Sequence, residues 1–464
     1  VTQLWPTDTQ RKSTKAAAWS ASLLLISFAL TIVFGLSTSE PVLKPYPTYP
    51  RPAFVPSFDP ISAVQLGLLP APLDDKQQPR QTVRALFVYP TGVVQYLGGA
   101  PYKSVTSKEA NDTSTLINIA RLVNDKRWIE VQGATVTLHT ALILTVGSAL
   151  SITSPLVDHV KLDPASGSFI AASGGSVSIS GVTVSGPAIS PGTPSAPKFR
   201  PFILMNGPVQ LHVDHSRFEN LGWDWNDSYG FSVIGAVKGE ITTSVFTGGF
   251  FGIYTQMVDG LTISDSTFEY NVVYGIDPHT GSSNLQILRN TARFNGAHGI
   301  IVSQDVTDST IANNTSTHNG EDGIVVDEGS NRTTVRNNVV AHNTGDGIVV
   351  TSSKSTSVLG NVVRKNRIGI RLSGDSSAKI EGNTFVGNVI PAQGIEVSRS
   401  LNRVGKDNNV KIVPPPSWHI VINVVLWPAT IVATILALVF RRRERREFKN
   451  YRFSNDPSLQ PKAN

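Results

Sequence analysis

Tyr274-Gly275-Ile276-Asp277-Pro278-His279 brings a phenol, a carboxylate and an imidazole close together in the chain. An imidazole exchanges a proton near neutral pH, and a carboxylate on the same face can orient it and tune its basicity. A phenol can give a proton back from another side. This is a set for general acid–base chemistry. The chain has no cysteine, which excludes a thiolate nucleophile, a thiolate metal site and a disulfide framework.

Whether these groups can act together depends on the element that carries them, and a repeat identifies that element. Tyr229-Gly230-Phe231, Phe251-Gly252-Ile253, Tyr274-Gly275-Ile276, His298-Gly299-Ile300, Asp322-Gly323-Ile324, Asp346-Gly347-Ile348, Ile368-Gly369-Ile370 and Gln393-Gly394-Ile395 follow one another. Subtracting successive glycine numbers gives steps of 22, 23, 24, 24, 24, 22 and 25 residues. A near-fixed period in this range, rich in β-branched residues and without helical patterning, signifies a solenoid. The expected fold is all-β: a right-handed parallel β-helix with one coil per repeat.

Two polar series keep the same step. Ser266, Asn290, Asn314, Asn338, Asn361 and Asn383 form one, and Asn271, Asn295, Asn319, Asn343, Asn366 and Asn388 the other. An Asn at the same bend of each coil can bond its counterparts above and below, so both series read as scaffold. The pleat then sets side-chain direction. Residues one and three places after each glycine are apolar in nearly every coil and point inward. Residues two and four places after it must point outward, which puts Asp277 and His279 together on the outer face with Tyr274 at its border. Stacking at about 4.8 Å per coil sets Tyr254 and Gln256 one coil below and His298, Ile301 and Ser303 one coil above.

Net charge is +6, much of it at the two ends. Residues 16–36 form an uncharged apolar run after the basic segment 1–15, and residues 418–440 form another before the basic tail 441–464. Each is long enough to cross a bilayer. The charge distribution predicts a double-pass protein of the cell membrane with both termini cytoplasmic; a cleaved signal peptide is the competing reading of the first run. Between the spans come a proline-rich stalk and lead-in (37–112), the β-helix (113–400) and a linker (401–417). Leu116, Ile119, Ala120 and Val123 recur at helical spacing, predicting a short helix that caps the N-terminal end of the solenoid.

The segment from about Leu116 to Asn388 resembles the alginate (poly-mannuronate) C5-epimerases, most closely the periplasmic kind. The resemblance is carried by Arg200-Pro201-Phe202-Ile203-Leu204, by Ser216 to Gly222 with Ser228-Tyr229-Gly230, by Asn271 to His279, and by His298-Gly299-Ile300-Ile301-Val302-Ser303. It implies inversion at C5 of a uronate within a polymer. That proton lies α to a carboxylate and is weakly acidic, so its removal needs the carboxylate neutralised, a base on one face and an acid on the other. The resemblance implies His279 as the base, Asp277 as its partner and Tyr274 as the opposing donor, with groove lining as the alternative for Tyr274.

Two positions depart from the family pattern. Thr280 stands where an Asp usually follows Asp-Pro-His. Gln304 stands where an Arg, thought to neutralise the substrate carboxylate, follows the His298 to Ser303 stretch. Arg200 is the first candidate to supply the missing cation, ahead of Arg289, Arg293 and Lys238. Tyr229, Tyr254, Gln256, His298, Ser303 and Gln304 complete the expected substrate-binding set. No cofactor and no metal site are expected. The expected partners are an anionic polysaccharide, the membrane and a polysaccharide synthase or export complex in it, and no nucleic acid. A polysaccharide lyase and a non-catalytic glycan-binding scaffold are the rival readings.

Overall fold

The structure, a computed structural model, describes residues 84–97, 100–107, 113–188, 199–224, 227–394, 403–404 and 409–411. All lie within one unit, Pro45–Ile412; a second unit, Val1–Lys44 with Val413–Asn464, falls outside the described residues. So do both expected spans, most of the stalk and the basic tail. Among the described residues no helix is long and apolar enough to cross a membrane.

The repeat folds as its period predicts, into coils of three short strands each. Corresponding strands of successive coils pair in parallel, building sheets of 14, 11 and 13 strands. The first sheet carries the strand Ile276–His279. Below it lies Ile253–Gln256, with Tyr254 opposite Asp277 and Gln256 opposite His279. Above it lies Ile300–Val302, with Ile300 opposite Ile276. These pairings are the ones the spacing predicts.

The core is a column of apolar side chains along the solenoid axis. Ile253, Ile276, Ile300, Ile324, Ile348 and Ile370 are fully buried in it. Phe218, Phe246 and Phe268 stack beside them with ring centroids 4.8 Å apart, which is the strand spacing itself. Gly275 recurs because the coils pass so closely there. A Cβ would stand 2.5 Å from the carbonyl oxygen of Gly299 and 2.8 Å from Nδ2 of Asn295.

Both asparagine series sit inside the bends. Asn295 Oδ1 accepts the backbone N–H of Asn271 at 3.2 Å and its Nδ2 at 2.9 Å. Asn295 in turn donates through Nδ2 to Phe268 O and to Asn319 Oδ1. The pattern repeats through Asn319, Asn343 and Asn366. Buried backbone donors at the corners, where the strand ladder cannot reach them, are satisfied in this way.

The helix forms over Leu116–Val123, with Thr115 accepting the Asn118 N–H at its N-terminus. It buries Leu116, Ile119, Ala120 and Val123, the four residues expected to cover the core. The sheet also reaches beyond the expected limits of 113 and 400. Strands Arg84–Tyr89, Gly92–Leu97 and Ala100–Thr106 form an antiparallel meander, and Arg84–Tyr89 pairs in parallel with Ala141–Leu144. At the other end Arg403–Val404 and Asn409–Lys411 pair onto the last coils. Neither extension repeats the glycine motif, so periodicity alone does not reveal them.

The Asn319 side chain accepts from the N–H and Nδ2 of Asn295, and its two amide protons are shared among Ala292 O, Ser316 Oγ and Asn343 Oδ1. Asn319→Ala leaves buried donors and acceptors unpaired, each costing about 1–3 kcal/mol. We expect a loss of about 2–4 kcal/mol on that scale, read as a lower urea midpoint. A loss below about 1 kcal/mol would mean that the ladder is ornamental.

Candidate active site

Asp277 and His279 occupy alternate positions of one strand whose intervening residues, Ile276 and Pro278, face the core. Both therefore point to the outer side of the first sheet. They do not share one environment. His279 is half-buried, whereas Asp277 is only 2 % exposed. The expectation that both lie open on a trough is thus corrected for Asp277. The outer side of this sheet carries apolar and aromatic residues of its own, and these bury it. Tyr254 belongs to a cluster with Leu204, Ile234 and Trp223, against which Tyr229 and Phe251 pack. On the other side Ile301, Val325 and Val349 form a second cluster against which Tyr274 packs.

Burial drives the electrostatics. The Asp277 carboxyl is pushed well above the ordinary carboxylate range by desolvation alone, with no cation beside it to oppose the shift. Its Oδ1 is buried and has no hydrogen-bond partner among the described residues. Burial lowers the basicity of His279, and a more distant Glu328 only partly offsets this. Desolvation thus favours the uncharged form of both groups, the imidazole and the carboxyl.

The imidazole is not held by Asp277, which corrects that part of the expectation. His279 Nδ1 lies 2.8 Å from Thr280 Oγ1, and Thr280 Oγ1 donates to Gln304 Oε1 at 2.9 Å. The two positions that depart from the family pattern thus touch each other, and Thr280 touches the histidine. The sequence signal was their spacing of 24 residues, one coil, which stacks the turn after one strand on the turn after the next.

Aromatic rings flank the pair. Tyr254 lies 5.8 Å from the His279 ring and donates its hydroxyl proton to Gln256 Oε1 at 3.0 Å. Tyr229, Phe251, Tyr274 and His298 continue as a row. Successive centroids are 5.0, 5.0 and 5.3 Å apart, and the Tyr274 and His298 rings are parallel within 3°. Desolvation raises the Tyr274 phenol to about 12, with the Asp277 charge as a lesser cause. Tyr254 is raised further, again chiefly by burial. Both phenols keep their protons at neutral pH. His298 Nδ1 accepts the Asp322 N–H at 3.2 Å, and its Nε2 faces Glu321 at 3.4 Å, so a structural bond occupies the first nitrogen. Ser303 is buried, and its N–H donates to Pro278 O.

Arg200 does not reach this site, which corrects its expected role. It is 2 % exposed, and its guanidinium donates to Gly248 O at 2.6 Å. It braces the chain where it enters the strand Ile203–Asn206. The other candidate cations are also committed elsewhere: Lys238 to Asp259, Arg289 to Asp265 and Arg293 to Glu269, on or beside the other two sheets. On the outer face of the first sheet, from Ile203 to Ser373, the only cationic strand residue among those described is Arg371, four coil steps from Asp277. It pairs with the fully buried Asp346, which also holds Arg367 at 3.0 Å. The two arginines of Asp346 lie about one coil further along the chain.

The geometry has counterparts among known proteins. The chain is 30% identical over 106 residues to the mannuronan C5-epimerase of Pseudomonas aeruginosa, a match covering 20% of each protein. It is 34% identical over 114 residues to that of Pseudomonas putida, covering 22% of each. The matched part is thus about a fifth of the length of these curated relatives. The crystal structure of the periplasmic alginate epimerase AlgG superposes with a TM-score of 0.54 at 26% identity, over 59% of this chain and 71% of that one.

Replacing Asp277 by Asn isolates the cost of burying an ionisable group. In the unfolded chain the carboxyl ionises above about 3.9, while the folded protein keeps the proton to higher pH. The folded state is therefore disfavoured progressively as pH rises from about 4 toward the folded value. Asp277→Asn should raise the melting temperature at pH 7, with the gain shrinking toward pH 4. A gain independent of pH would contradict a protonated Asp277.

A model described as the right-handed β-helix region matches residues 166–307 and 280–412, together more than half of the sequence, and on that ground, with mannuronan C5-epimerases among its relatives, the chain belongs to the right-handed β-helix family.

Proposed function

We propose that this chain is a uronate C5-epimerase acting on an anionic polysaccharide of the mannuronan type, laid along the outer face of the first sheet. The observation that carries the reading is the strand Ile276–His279, which sets a half-buried imidazole of lowered basicity beside a buried carboxyl whose ionisation desolvation opposes, between two phenols that hold their protons.

The chemistry follows from those states. Neutral His279 takes the C5 proton of the bound uronate. The electron pair left behind delocalises into the substrate carboxylate, which gains enediolate character. The described site has no adjacent cation to receive that charge, so hydrogen-bond donors must do so. Asp277 in its acid form donates to the developing oxyanion, and the exposed Gln304 amide adds a second donor. Such donors act strongly where water is excluded, and a carboxyl kept neutral by an apolar site is suited to the task. Tyr274 then delivers its proton to the opposite face of C5, inverting the centre. Tyr229 and Tyr254 offer aromatic surface to the sugars, and Gln256, His298 and Ser303 border the path.

The same reading accounts for the ends of the chain. Two spans would tether the β-helix outside the cytoplasm, next to a synthase or export complex in the same membrane, where nascent polymer emerges. The periplasmic neighbour is consistent with such a site of action.

The test is incubation of the full chain with mannuronan in D₂O, followed by NMR of C5. Deuterium should enter at C5 with inversion. No unsaturated, shortened product should form, since that outcome marks a lyase. His279→Gln should lower the exchange rate at least about 10²-fold and Tyr274→Phe should lower it to a similar degree. Because the base must be uncharged and burial lowers its basicity, kcat/KM should hold through neutral pH and fall on the acid side, below about 6.5. Absence of exchange on mannuronan and on other polyuronates would end the proposal.

A further inference from the structure

We propose that Thr280 and Gln304 act as positioning residues that fix the tautomer of His279, holding the ring proton on Nδ1 so that Nε2 is the nitrogen with the free lone pair. This rests on the role of His279 as base set out above, and it goes further in saying which nitrogen reacts and what selects it.

The argument is one of donors and acceptors. The Thr280 hydroxyl has one proton, and that proton is directed at Gln304 Oε1, 2.9 Å away. A carbonyl oxygen can only accept. The hydroxyl therefore has only lone pairs to offer His279 Nδ1 at 2.8 Å, and Nδ1 must be the donor. A neutral imidazole that carries its proton on Nδ1 has its lone pair on Nε2. The direction of the whole chain is set by the far amide, one coil away.

The backbone turn that stacks these residues recurs from coil to coil: Met257, Thr280, Gln304, Glu328 and Ser352 all have positive φ. Thr280 has φ of +22° and Gln304 has φ of +58°. Positive φ is a sparsely populated region, and a β-branched residue seldom adopts it. Such a conformation persists where neighbours over-determine it. Here the stacked turns do so: Met257 N–H donates to Thr280 O at 2.9 Å, and Gly281 N–H donates to Gln304 O at 2.8 Å. At this turn the chain carries a threonine where glycine or asparagine would sit without strain, and its hydroxyl is the group that meets the imidazole.

No charge is involved, and that sets the pair apart from a carboxylate in the same place. A carboxylate would also hold the proton on Nδ1, but it would favour the imidazolium and so reduce the fraction of free base at neutral pH. A hydroxyl backed by an amide carbonyl orients the ring while leaving its lowered basicity intact.

The experiment uses the full chain with ¹⁵N-labelled histidine, with the His279 signals assigned by their loss in His279→Gln. Above the titration of the ring, long-range ¹H–¹⁵N spectra should give His279 a pyridine-like Nε2 and a pyrrole-like Nδ1. Thr280→Ser should preserve that pattern, and Thr280→Val should lose it to tautomer exchange or reversal. Gln304→Glu, whose carboxylate only accepts, should preserve the tautomer and move the acid limb of kcat/KM up by about one unit. Thr280→Val should lower kcat on the order of tenfold or more, with KM little changed. A pyrrole-like Nε2 in the unaltered protein, or an unchanged tautomer in Thr280→Val, would overturn the inference. The spectra need no substrate, so they report on the relay even if no polyuronate is turned over.

Discussion

The whole molecule depends on coils staying in register. Each coil is fixed to the next by strand pairing on three sides and by an asparagine amide in the bends, and the two devices enforce the same offset. Tyr254 stands opposite Asp277 while Asn271 Oδ1 accepts the Gly249 N–H at the corner between the same two coils, and a slip of one residue would break both contacts while turning every outward side chain inward. The site is thus a property of the stack: its members come from residues 229 to 304, and only the constancy of the step brings them within reach.

Within that frame, desolvation outweighs charge pairing. The outer face of the first sheet is covered by its own aromatic and aliphatic groups, so the ionisable residues among them reside in a poorly hydrated layer. With no guanidinium or ammonium beside them among the described residues, desolvation favours the uncharged form of each group: carboxyl, imidazole and two phenols. A cationic site would stabilise the enediolate more strongly, but it would also hold ground-state carboxylates tightly. On the proposed reading, binding would rest on donors and weak stacking, which would let a long polyanion keep moving along the face. The one cationic strand residue of that face among those described, the part-buried Arg371, is paired with Asp346 and stands four coil steps from Asp277.

Much of the fold was legible because solenoid geometry is written as a period. The glycine step gave the coil length, the apolar positions gave the inward face, and the two asparagine series marked the corners. The four apolar residues of Leu116–Val123 marked the cap. The strands before residue 113 and after residue 400 were not legible, because they add to the sheets without repeating the motif. The site was legible in direction but not in environment. Alternation says that Asp277 and His279 leave the core; it cannot say that Tyr254, Tyr229 and their neighbours then bury the carboxylate. Arg200 shows the same limit, since a family-like sequence context carried no information on whether its guanidinium reaches the surface or a carbonyl inside. Thr280 and Gln304 were visible as departures, and their contact lay hidden in a spacing of one coil.

The antiparallel meander at Arg84–Thr106 has a consequence for assembly. A stack of parallel coils ends in a row of unsatisfied backbone groups, an invitation for another molecule to continue the ladder. By pairing its first strand in parallel with the coil above and then reversing twice, the chain turns that terminus sideways and ends the series with its own residues. A further strand added to the first sheet at this edge would have to pair with Ala100–Thr106, outside the register of the parallel coils.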